Sequence, residues 1–118
     1  MKQPKSNPES PFDNKDEYNL LFAMLKSAYV ELRDMSKKTP KESLSLMKVR
    51  TLNRILEKIK SFLKNEATAN FLDLIDEDSI PSTSDTLILM SQYAGAIENY
   101  YKRYHSNYDK MERPDFSK

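Results

Sequence analysis

The chain has 118 residues, 38% of them hydrophobic, which suffices for one core and leaves no room for two independent domains. Nineteen Lys and Arg against eighteen Asp and Glu give a formal net charge of +1, so no global field recruits nucleic acid or an anionic membrane. Cysteine is absent, which excludes disulfides, thiolate metal sites and a cysteine nucleophile and agrees with the cytoplasmic location we expect.

Residues 1–12 carry Pro4, Pro8 and Pro11 among Lys, Ser and Asn. That composition is too polar and too kinked to fold alone, and it predicts a disordered tail ahead of a single helical domain over 13–112, with 113–118 as a C-terminal tail. The opening residues hold no apolar run, so no secretory leader is expected. Nowhere is there a stretch of the roughly 20 apolar residues a bilayer span needs, so no membrane partner is expected either.

Asn14 followed by Glu17 has the pattern of an N-cap with a carboxylate reaching back. Tyr18, Leu21, Leu25, Ala28, Leu32 and Met35 then recur at alternating steps of three and four, which predicts a helix over 15–36. Phe22 and Tyr29 widen its apolar stripe. Next, Thr39-Pro40-Lys41-Glu42 places a hydroxyl, a proline and a glutamate where a helix start uses them. A second helix is predicted from there to about Lys64, carrying Leu44, Met47, Leu52, Ile55, Leu56, Ile59, Phe62 and Leu63 and forming an antiparallel hairpin with the first. Phe71, Leu72, Leu74 and Ile75 predict a short helix over 66–76, ended by the loop before Pro81. The last long helix is predicted to start between Ser82 and Asp85, capped by Ser82 or Ser84, with Leu89, Tyr93, Ile97, Tyr100 and Tyr104 on its main face. No alternating pattern is long enough for a sheet. The expected architecture is all-α: three long helices in an up-down-up arrangement and one short helix between the second and third.

The only glycine, Gly95, lies inside the last helix in Tyr93-Ala94-Gly95-Ala96, where it costs about 1 kcal/mol relative to alanine. A surface with so little bulk suits close approach by another backbone. Phe22, Tyr29, Leu46, Val49, Ile88, Met90, Tyr101 and Tyr108 exceed what a three-helix core is expected to cover. We therefore expect a homo-oligomer, a dimer by preference, with Tyr93, Ala94, Gly95, Ala96, Tyr101 and Tyr108 at its interface.

Charges are sorted along the chain. Lys48 to Lys64 holds six basic residues and the single acid Glu57, whereas 65–85 holds six acids and no Lys or Arg. The simpler reading is two runs that partly neutralise each other at the surface. In the sharper reading Arg50, Arg54 and Lys58, four apart on one helix side, track phosphates with help from Tyr101, Lys102 and Arg103.

Catalytic arrangements fall short. His105 is the only histidine, which removes di-histidine zinc and Glu-x-x-His di-iron sites. Arg103 stands two residues before it, closer than the Arg-to-His spacing of HEPN-type helical ribonucleases. Glu31 with Asp34, and Asp73 with Asp76 or Glu77, offer oxygen ligands at helical spacing, the donor pattern of Mg²⁺-dependent all-helical nucleotide pyrophosphatases. Surface helices carry the same pattern by default. The expected function is a non-enzymatic protein-interaction or adaptor module without a cofactor. Nucleic-acid binding comes second and nucleotide pyrophosphate release third.

Overall fold

The computed structural model describes residues 14–117. The segment expected to be a disordered tail, 1–12, lies outside the described residues. Three helices among the described residues, α1 (Asn14–Lys38), α2 (Leu46–Phe62) and α3 (Thr83–Tyr104), are joined by irregular segments, with a 3₁₀ turn at Ala67–Phe71 between α2 and α3 and another at His105–Asn107 after α3. No strand occurs among the described residues; a single bridge pairs Ser43 with Ser82. The chain is an all-α bundle as its periodicity predicts. None of its described helices is long and apolar enough to cross a membrane.

Helix α1 carries Asp16 and Glu17 in its first turn and Lys37 and Lys38 in its last, matching charge to the helix dipole at both ends. Asn14 is its first described helical residue, and its side-chain amide donates to the Tyr108 hydroxyl at 3.4 Å. Tyr18, Leu21, Phe22, Leu25 and Leu32 are buried, while Ala28 and Met35 of the same predicted stripe are only half-buried. In α3, Met90, Tyr93, Ala96, Ile97 and Tyr100 face inward. Tyr18 stacks on Tyr100 with ring centroids 5.7 Å apart, which ties the start of α1 to the end of α3.

The start of α2 differs from the prediction. Thr39-Pro40-Lys41 forms a turn, not a first helical turn, and α2 begins at Leu46 with Ser45 as the cap, its hydroxyl accepting from the Lys48 amide at 3.1 Å. The reason is tertiary. The carbonyls that would begin a helix at Thr39 are taken by the start of α3: the Thr83 amide donates to Glu42 at 2.8 Å, the Ser84 amide to Pro40 at 3.1 Å, and the Thr83 hydroxyl to Thr39 at 2.7 Å. Thr83 is completely buried. One loop thereby satisfies the orphan donors of α3, while Ser82 caps the same helix by accepting from the Asp85 amide at 3.2 Å.

The predicted helix over 66–76 is also replaced. After the short 3₁₀ turn the chain leaves helix at Leu72, whose backbone is extended, and residues 72–76 are irregular, because side chains from two helices take up their backbone groups. Lys60 Nζ donates to the Leu72 carbonyl at 2.7 Å, the Tyr93 hydroxyl to Asp73 at 2.7 Å, and buried Asn53 holds both backbone groups of Ile75. Leu72 and Ile75 enter the core from this segment.

Residues 108–117 return along α1. Asn19 donates to the Lys110 carbonyl at 3.2 Å and accepts from the Glu112 amide at 2.8 Å; the Tyr18 hydroxyl donates to the Glu112 carbonyl at 3.0 Å. Phe116 meets Phe22 edge-on at 5.3 Å, and Arg33 donates to the carbonyls of Phe116 and Ser117 at 2.6 and 3.1 Å. The Phe116 contact helps to cover Phe22; Val49 and Met90, also expected as surplus, are buried, whereas Leu46 and Ile88 remain exposed.

Candidate functional site

Helix α1 makes more of its close backbone contacts with α3 than with α2. An apolar groove of about 350 Å³ runs between α1 and α2. Its α1 wall is Met24, Ala28, Leu32 and Met35; its α2 wall is Met47, Leu52 and Ile55, and Leu44 closes one end. Leu32 and Leu52 form a buried floor, while the rims protrude: Met24 is 47% exposed and Met47 76% exposed. Leu20, one turn before Met24, extends the α1 rim and is 48% exposed. The few polar lining groups are Ser27, Glu31, Lys48 and Thr51. Lys48 Nζ lies 3.9 Å from Glu31 and 3.7 Å from the Met35 sulfur, so the ion pair spans the two walls.

The sequence signal for this groove was present. Ala28, Met35, Met47 and Ile55 sit on the predicted apolar stripes of the first two helices, and they are among the members of those stripes that the chain leaves incompletely covered. Such stripe positions end at a surface where the fold supplies no third neighbour.

Other expected site residues are scattered. Of the six expected at an interface, Tyr93 and Ala96 are buried in the chain's own core and are unavailable to a partner. Ala94 is half-buried and Gly95 is exposed, and a Cβ added to Gly95 would have nothing within 4 Å. Among the described residues nothing packs closely on Gly95 itself. Tyr101 and Tyr108 are half-buried, the first stacked on exposed His105 with centroids 4.6 Å apart.

The basic row is divided. Arg50 pairs with Glu77 at 3.2 Å, which joins the basic run to the acidic one, while Arg54 and Lys58 have no ion pair among the described residues. Arg103 pairs at 3.1 Å with Glu66, whose side chain is almost buried, and Lys102 with Glu98 at 3.9 Å. Lys102 is thus paired within α3 and Arg103 to the segment that follows α2, and among the described residues the row on α2 leaves two cations, Arg54 and Lys58, without an ion pair.

Four tyrosines are held in their neutral form. Burial pushes the Tyr18, Tyr93 and Tyr100 hydroxyls well above the usual tyrosine range, and acceptance of the Tyr104 hydroxyl proton by Glu66 at 2.8 Å raises Tyr104. These groups anchor the bundle; none faces the groove. Among the described residues no three acidic or histidine side chains gather as metal ligands. Comparison with protein-family models, with curated proteins and with solved structures finds no match for this chain.

Proposed function

We propose that the chain is a non-enzymatic protein-interaction module whose docking surface is the groove between α1 and α2. The observation that carries this reading is a buried apolar floor between protruding methionine rims, with Met24 and Met47 both largely accessible. Methionine is unbranched and polarizable, so a rim built from it adapts to an incoming apolar face better than branched residues do. Grooves of this kind accept apolar helix faces, with specificity added by a few charged groups at the edge.

The test is site-specific photo-crosslinking in the cells that make the protein, with the photoreactive residue at Met47 and a control at Glu98 on the exposed face of α3. Protein adducts formed from position 47 and absent from position 98 support the reading. Equal adducts from both positions, or none from either, overturn it.

A further inference from the structure

We infer that the occupant of the groove is the same groove of a second copy, the two chains being related by a two-fold axis that runs along the groove. This rests on the interaction-module reading and names its partner. Three observations carry it. The first is exposed apolar surface: Met24 on the α1 rim, with Leu20 one turn before it, and Met47 on the α2 rim flank one floor, and the axis lays each α1 rim on the α2 rim of the other copy, so that these accessible side chains are covered. Contact of this kind uses the same patch on both chains, as an isologous interface requires.

The second observation is the arrangement of charge. Glu31 belongs to the α1 wall and Lys48 to the α2 wall, and their 3.9 Å separation shows that they stand at the same height along the groove. A two-fold axis along the groove preserves height and exchanges walls. It therefore sets Glu31 of each chain opposite Lys48 of the other, twice per dimer. Both side chains stay largely exposed although they pair within the chain, so each remains open to a second partner of opposite sign, and the same groove turned by the axis presents that pattern. The third observation is the net charge of +1, which leaves little long-range repulsion between copies.

The experiment is light scattering over a concentration series at moderate salt, with circular dichroism to verify folding. The parent chain is expected to show twice the chain mass. Met47→Glu and Met24→Glu place charge at accessible rim positions, so the fold survives and the mass falls to that of one chain. Lys48→Glu and Glu31→Lys alone set like charges opposite each other and weaken association by about tenfold or more. An equimolar mixture of these two variants restores the dimer, because each mixed pair again sets opposite charges face to face.

A parent that is monomeric at every concentration overturns the inference; crosslinks from position 47 to a different protein then leave the interaction-module reading standing. A dimer that persists in both methionine variants also overturns it, and places self-association on another surface. Charge variants that associate no better mixed than apart exclude the proposed axis.

Discussion

Asn53 on α2 binds the backbone of Ile75 twice, its amide donating to the Ile75 carbonyl at 2.9 Å and its carbonyl accepting from the Ile75 amide at 2.9 Å. Both residues are buried, so no water replaces these bonds when the side chain is changed. Asn53→Leu keeps the number and branching of the side-chain heavy atoms and leaves one buried donor and one buried acceptor without partners. The expected loss is about 2–4 kcal/mol, measured by urea unfolding. Hydrogen exchange at the Ile75 amide should accelerate by more than global destabilisation accounts for, because the extended segment loses its local clamp. A variant with parent stability and parent exchange at Ile75 would show that the pair contributes nothing.

Asn53 also shows what the sequence conceals. The apolar residues at 71, 72, 74 and 75 read as a short helix because nothing local indicates that Asn53, Lys60 and Tyr93 take up the backbone groups of this stretch. At Thr39-Pro40-Lys41-Glu42 the local pattern for a helix start is complete, yet the carbonyls of Thr39, Pro40 and Glu42 bond the first turn of α3. Both departures arise from contacts between residues far apart in sequence. By contrast, α1 and α3 are legible because the information is local: the periodicity from Tyr18 to Leu32, the Ser82 cap and the Tyr93, Ile97, Tyr100 face all lie within one element. The groove residues were legible as apolar, but their exposure follows from how α2 packs on α1, which no local pattern encodes.

Phe116 holds the end of the chain to α1. Its ring meets Phe22 at 5.3 Å and Tyr29 at 5.4 Å, both near edge-on, and Arg33 binds the adjoining carbonyls. The ring is only half-buried, so Phe116→Ala is expected to cost about 1–2 kcal/mol, less than loss of a fully buried phenylalanine. Release of the segment should be visible locally as well. Trypsin cleavage after exposed Lys110 should become several-fold faster, while the helical signal of the remainder is retained. Unchanged cleavage together with unchanged stability would mean that the aromatic contact does not fasten the segment.

Alkaline pH should unfold the protein steeply. Tyr18, Tyr93 and Tyr100 are buried and titrate in the folded state well above the usual tyrosine value of about 10. Below that value both states keep the phenolic protons and stability is independent of these groups. Above it the unfolded chain loses protons that the folded chain retains, so stability falls as pH rises. With three such groups the slope approaches about 4 kcal/mol per pH unit. The measurement is phenolate absorbance followed in parallel with circular dichroism. Three tyrosines should ionise only as helix is lost. Ionisation of all tyrosines before any loss of helix would contradict their burial.

Gly95 separates intrinsic helix stability from assembly. It lies exposed in the middle of α3, and nothing stands within 4 Å of the position its Cβ would take. Gly95→Ala therefore adds no clash and removes the conformational penalty of glycine, so it should stabilise the monomer fold by about 1 kcal/mol. If the chain dimerises through the α1–α2 groove, neither Gly95→Ala nor the bulkier Gly95→Leu changes the mass measured by light scattering. If the exposed surface around Ala94 and Gly95 is instead the interface, Gly95→Leu dissociates the dimer while the Met47→Glu variant remains associated. The two substitutions measured side by side thus assign self-association to one face of the bundle or the other.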